Sequence, residues 1–210
     1  MTDNARRSPI DTTPYTLEMP EAPVSWPEIF GRDRPVELEI GSGKGLFLAN
    51  AARGNPSHDF LGVEMAKKYA YKAAERLAKA NLSNVKILPG DARRFLHLFV
   101  PAASVSAVHI YFPDPWWKTR HRKRRVFCED FVVDVAKSLT PGGDFLIATD
   151  VEEYFGVMME LMDRHEEFTE QARPEPKTPE HEHDYLTNFE RKYRIEGRPI
   201  HRAHYKKTTA

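Results

Sequence analysis

Leu38 to Gly45 reads LEIGSGKG. Its first three residues close an apolar run, Val36 to Ile40, with the length and composition of a short buried strand. Glycines at 41, 43 and 45 then allow a tight turn and a close approach of backbone to a ligand, and Leu46 to Arg53 follows with apolar residues at helical spacing. A strand that passes through glycines straight into a helix is the opening unit of an α/β fold, and the pattern repeats. Phe60 to Val63, Val85 to Leu88, Val105 to Phe112 and Asp144 to Thr149 read as further strands; Ala66 to Ala80, Ala92 to Phe99 and Phe127 to Leu139 read as helices between them. Parallel strands need crossovers, and crossovers are right-handed, so the alternation predicts a doubly wound, mostly parallel α/β sheet. Ligands in such sheets bind beyond the carboxyl ends of the strands. Each strand-to-helix junction is therefore a place to look for chemistry.

Beyond these units a helix is expected past Tyr154 to about His165, then a Pro-rich acidic connector from Arg173 to Asp184. The tail, Tyr185 to Lys207, is expected to supply closing strands. Residues 1–34 are rich in Pro, Thr and charge with no sustained period, which predicts a loosely ordered arm, able to drape over the domain, ahead of one domain over 35–210. With 210 residues, 40% of them apolar, the chain can bury a substantial core. No apolar run approaches the roughly 18 residues of a membrane span, and the first thirty residues carry prolines and acids where a secretory signal needs an apolar block. A cytoplasmic protein, monomeric or homodimeric and without membrane association, is the expectation. Cys128 is the only cysteine, so neither an internal disulfide nor a zinc pattern exists. His181 and His183 alternate with acids in a Pro-flanked segment and read as solvated residues; no metal is expected.

Net charge is zero, yet the charge is unevenly placed. Six Lys and Arg fall between Lys118 and Arg125, while Asp150 to Glu190 is strongly acidic. Such polarity can orient a long anionic ligand on one face and repel it from another.

The junctions carry acids. Glu39 stands two residues before Gly41, where a carboxylate would repel a phosphate and suit an ammonium group. The third glycine also comes one residue too early for the GxGxxG of a dinucleotide site, which argues against a dehydrogenase. Glu64 closes the second strand, 25 residues after Glu39, where it can accept from both hydroxyls of a ribose. Asp91 heads a helix after Gly90; it can accept from an adenine amino group or simply cap the helix. Three acids after three consecutive strands describe a pocket for a cationic adenosyl ligand, which points to S-adenosylmethionine.

This constellation resembles that of the Rossmann-like class I S-adenosylmethionine-dependent methyltransferases. The fourth junction, YFPDPWWKTRHRKRR from Tyr111 to Arg125, together with ATD ending at Asp150 and TNFE from Thr187 to Glu190, is similar to the bacterial tRNA (guanine-N7)-methyltransferase family. The resemblance covers about residues 36 to 207 and implies methyl transfer to a variable-loop guanine. Guanine N7 offers an in-plane lone pair and no proton, so the transfer needs no general base and catalysis reduces to positioning. Asp114, held between Pro113 and Pro115, is suited to accept from the N1–H and amino group of that guanine. One of Trp116 and Trp117 could stack on the base while the other packs inward. Lys118, Arg120, Arg122, Lys123, Arg124 and Arg125 are expected phosphate contacts, with Lys118 matching the substrate-binding lysine that the resemblance implies. It further implies substrate contacts at Asp150, Thr187, Asn188, Phe189 and Glu190. The chain departs from the family pattern at Trp117, at Val151 and Glu153 (where Trp and Pro are usual), and at Asn188 in place of Lys. A same-fold methyltransferase for another RNA, protein or small molecule is the alternative, as is a non-catalytic RNA-binding protein.

Overall fold

The computed structural model describes residues 10–116, 118–172 and 187–209. Seven strands, β1 (Val36–Ile40), β2 (Asp59–Glu64), β3 (Val85–Pro89), β4 (Val105–Tyr111), β5 (Leu139–Thr149), β6 (Phe168–Glu170) and β7 (His201–Lys207), form one sheet in the order 3-2-1-4-5-7-6. The first five are parallel, and β7 runs antiparallel to both β5 and β6. The helices are α1 (Trp26–Phe30), α2 (Leu46–Gly54), α3 (Lys67–Lys79), α4 (Ala92–Phe99), α5 (Glu129–Ser138), α6 (Glu152–Met162) and α7 (Asn188–Ile195). Because the winding reverses at β1, with β2 on one side and β4 on the other, a crevice opens beyond the carboxyl ends of β1 and β4.

Strand alternation sorts the two faces. Val36, Leu38 and Ile40 join Phe95, Phe131, Val135, Tyr154 and Met158 in the larger core, the one that α4, α5 and α6 cover. On the other face Leu48 and Ala52 of α2 pack with Ala70, Ala73 and Leu77 of α3 over Phe60, Val85 and Ile87. Glu37 and Glu39, the odd residues of β1, point to that second face.

Three sequence expectations are corrected. Residues 10–34 are docked: the Leu17 N–H donates to the Ile87 carbonyl at 2.8 Å, Val24 N–H to the Phe99 carbonyl at 2.8 Å, and Trp26 enters the larger core. A few anchoring side chains spaced along an extended strap have no period, so composition alone suggested looseness. Second, α5 begins at Glu129 and ends at Ser138, and β5 starts at Leu139, five residues earlier than expected. The turn-like sequence Pro141-Gly142-Gly143 conceals its first half, where the register against β4 shifts between Val105 and Ala107. Third, the tail opens with α7 before its closing strand. Thr187 caps that helix by accepting from the Glu190 N–H at 3.0 Å, the Ser/Thr half of a capping box.

No helix among the described residues is long and apolar enough to cross a membrane.

Candidate active site

Leu88, Val63, Ile40, Ile110 and Ile147 are Cα partners in a row across the parallel strands. All five junctions read from the sequence lie just beyond this row, so Glu64, Asp91, the glycine turn, Asp114 and Asp150 share one edge.

The glycine turn is left-handed at each glycine: φ is 79° at Gly41, 53° at Gly43 and 69° at Gly45. A Cβ on Gly41 or Gly43 would meet open space, whereas one on Gly45 would lie 2.8 Å from the Ala73 Cβ. Gly45 thus lets the start of α2 approach α3, and the other two leave backbone bare toward the crevice. Gly43 N–H donates to Glu64 Oε2 and Ala66 N–H to Oε1, each at 2.8 Å. These bonds fix the Glu64 carboxylate and use one lone pair of each oxygen, leaving the others for hydroxyl donors.

Glu39 is 3% exposed, and its Oε2 has no hydrogen-bond partner among the described residues. Burial pushes its carboxyl up to about 8, against a Ser42 hydrogen bond that lowers it, while the charge of Glu64 raises it further. A buried carboxyl oxygen lacking a partner is costly unless a ligand completes it, and a cation is the group that would. The residues present therefore fit S-adenosylmethionine, whose amino acid portion carries an ammonium group. Asp91 caps α4, accepting from the N–H groups of Arg93 (2.9 Å) and Arg94 (3.3 Å) on Oδ1. Oδ2 is left for a further donor, so capping and ligand binding are compatible. Sequence reasoning missed Met65. It follows Glu64 directly and is 63% exposed, an apolar flank for a flat ring; a large apolar residue just past a strand end was the available signal.

Asp114 is exposed and lines an open pocket of about 390 Å³ with Pro115, Trp116, Lys118 and His121. Its segment is bracketed by two aromatic residues with positive φ, Phe112 at 52° and Trp116 at 42°. Such angles cost of order 1–3 kcal/mol each in non-glycine residues, so surrounding contacts hold the turn. Arg125 Nε donates to the Pro115 carbonyl at 2.7 Å with its guanidinium 4.9 Å from the Tyr154 ring centroid, so Arg125 also braces the turn. Trp116 has the Arg124 guanidinium 5.2 Å from its ring centroid and His121 edge-on at 5.6 Å. Lys118, Arg120, Lys123 and Arg124 are exposed around it. Trp117, His181 and His183, and the side chains of Arg122 and Asn188, lie outside the described residues.

On the far side of the crevice Asp150 is ion-paired with Arg198, whose guanidinium stacks 4.2 Å from the Tyr193 ring centroid. Glu190 is 2% exposed and bonds Arg202 Nη2 at 2.5 Å and Arg194 Nη2 at 2.8 Å. Glu190 thus holds α7 to β7 through Arg202, and Thr187 caps the start of α7. Phe189 is exposed and faces Phe112 at 6.1 Å and Tyr193 at 6.0 Å, ring centroid to centroid. Among the described residues no group of three or more His, Cys, Asp or Glu is placed to hold a metal ion.

The fold and this crevice define an S-adenosylmethionine-dependent methyltransferase. Residues 33–203 match the family model described as a putative methyltransferase. Among solved structures, the 16S rRNA methyltransferase KamB superposes with a TM-score of 0.63 at 18% identity over 86% of this chain and 91% of that one. A putative methyltransferase from Streptococcus mutans, in complex with SAH, gives 0.56 at 10% identity over 83% and 89%. Curated relatives are closer: the tRNA (guanine-N(7)-)-methyltransferase of Rhodopirellula baltica is 41% identical over 91% of this chain and 74% of its own length. That of Geobacter metallireducens is 36% identical over 94% of each. The chain belongs to the tRNA (guanine-N7)-methyltransferase family.

Proposed function

We propose that this chain transfers a methyl group from S-adenosylmethionine to N7 of a guanine in the tRNA variable loop, acting in the cytoplasm as a monomer or homodimer. One juxtaposition supports the reading. Adjacent strands carry, at their carboxyl ends, a buried carboxyl with one unpartnered oxygen (Glu39, within β1) and an exposed proline-flanked one (Asp114, beyond β4).

Bound in the crevice, S-adenosylmethionine supplies an electrophilic methyl group on a cationic sulfur. Glu39 would hold the ammonium, Glu64 the ribose hydroxyls, Asp91 the adenine amino group, and Met65 the face of the ring. Asp114 accepts from the guanine N1–H and amino group, orienting N7; each such charge-assisted bond contributes about 1.5–3 kcal/mol. No residue has to remove a proton, since N7 carries none, and holding the nucleophile in line can supply on the order of 7–11 kcal/mol. Methylation leaves positive charge on the ring, which a carboxylate at the Watson–Crick edge stabilises. Lys118, Arg122, Lys123 and Arg124 take phosphates next to the extruded nucleotide. Asp150 and Phe189 form the opposite wall, Asn188 is a further substrate contact, and Thr187 and Glu190 fix α7 through its cap and its ion pairs.

Incubating the purified protein with labelled S-adenosylmethionine and unmodified bulk tRNA, followed by nucleoside analysis, tests this. Labelled 7-methylguanosine is the expected product; cofactor binding with label on another nucleoside, or on none, would overturn the guanine N7 assignment.

A further inference from the structure

Outside the crevice, α3 has a surface that neither its packing nor the cofactor site explains. Ala70, Ala73, Ala74 and Leu77 are buried on its inner face. Outward it presents Lys67, Lys68, Tyr71, Lys72 and Lys79, all exposed, with Tyr71 54% exposed. Along the flank nearer the glycine turn, Tyr69 is 44% exposed with Lys44 Nζ 5.9 Å from its ring centroid, and Arg76 Nε donates to the Lys44 carbonyl at 3.0 Å. Within this helix five cations face one acid, Glu75, in a chain whose net charge is zero. A helix needs neither exposed tyrosines nor so one-sided a charge for its own stability.

We infer that the outer face of α3 is a second tRNA-docking surface, contacting a part of the molecule remote from the methylated guanine. The inference rests on the tRNA reading above. Charge complementarity selects the occupant: closely spaced lysines match consecutive phosphates, and exposed tyrosine rings offer stacking faces to unpaired bases. Position supports it as well. The first turn of α3 follows β2, and the Asp114 turn follows β4; β1 alone separates those strands, so the two starting points are about 10 Å apart at the sheet edge. One RNA can span both surfaces, and a contact outside the modified loop would let the enzyme recognise a folded tRNA rather than any accessible guanine.

The test compares wild type with Lys67→Ala/Lys68→Ala/Lys72→Ala and with the matching Lys→Arg variant, in steady-state methylation of full-length unmodified tRNA at several salt concentrations. S-adenosylmethionine affinity by calorimetry serves as the check on folding. The expected result is a KM for tRNA raised about tenfold or more by the alanines, a salt slope reduced by about three, kcat and cofactor affinity unchanged, and recovery in the arginine variant. An alanine variant with wild-type KM and salt slope would overturn the surface while leaving the activity intact. So would a fall in kcat at unchanged KM. Wild type failing to methylate tRNA at all would instead overturn the reading on which the surface depends.

Discussion

Glu37 and Glu39 sit two residues apart on the same face of one strand, yet their carboxyls are driven in opposite directions. Burial alone would raise Glu37, but His109 (2.8 Å) and His58 (2.7 Å) hydrogen-bond its two oxygens and hold it below the usual range. Glu39 has no comparable partner and is pushed up to about 8. Its raised value means that the unfolded chain ionises where the folded one does not, so this group's contribution to stability falls as pH rises from about 4.5 to about 8 and then levels. Two outcomes follow for Glu39. Binding of S-adenosylmethionine at pH 7 should release close to one proton, because an ammonium beside the carboxyl favours its ionised form; calorimetry in buffers of different ionisation enthalpy reads this directly. Glu39→Gln should bind the cofactor far more weakly, yet in the ligand-free state lose less stability between pH 5 and pH 8 than wild type does, the difference being on the order of 2–4 kcal/mol. Tight binding by that variant, or none of the proton release, would remove Glu39 from the ammonium site. Asp114→Asn separates the other role. Replacing the acceptor pair should lower turnover by roughly two to four orders of magnitude, with cofactor affinity unchanged; equal loss of both would place Asp114 in the cofactor pocket or the fold.

At the scale of elements, the parts most legible in the sequence were those whose side-chain period is imposed by a face to bury. β1 and α4 match their sequence-read limits, β3, β4 and α2 differ by one residue at one end, and β2 by one at each end, because each has one or both sides against the core. α7 was not legible: NFERKYRI has no apolar stripe, and the helix is secured by its Thr187 cap and by Glu190 gripping Arg194 and Arg202. The acids of the site could be read because each stands at or just beyond the carboxyl end of a strand. What those acids bond in the ligand-free protein could not, since Glu64 finds Gly43, and Asp150 finds Arg198, across gaps in the sequence that only the fold closes. The glycine turn shows the same distinction quantitatively. Gly43→Ala should cost about 1–2 kcal/mol for its left-handed backbone alone. Gly45→Ala meets that cost and the Ala73 Cβ as well, so its destabilisation in urea should be larger by about 1–3 kcal/mol. Adding Ala73→Gly should recover part of the excess in Gly45→Ala and none in the Gly43 variant. Equal costs for the two alanines would mean that α2 and α3 do not set the spacing of the turn.

Over the whole molecule, zero net charge conceals two basic surfaces, the turn from Lys118 to Arg124 after β4 and the outer face of α3, which lie past strands on either side of β1. Clustering cations in two places within a chain of zero net charge keeps the local field strong there without making the protein a general polyanion binder. The arrangement has a measurable signature. Counterion release makes the logarithm of tRNA affinity fall linearly with the logarithm of salt concentration, with a slope that counts neutralised phosphates. Lys118→Ala/Lys123→Ala should shallow that slope by about two, and the triple alanine variant on α3 by about three. Because the two groups share no side-chain contact, the combined variant should show the sum of both changes and an affinity loss equal to the product of the separate losses. Filter-binding or calorimetric titrations at four or five salt concentrations would read all four proteins on one plot. Additive slopes would establish one RNA held at two independent places; a combined variant no worse than the turn variant alone would show that α3 contributes nothing once the turn is lost, and that the tRNA is bound through a single surface around Asp114.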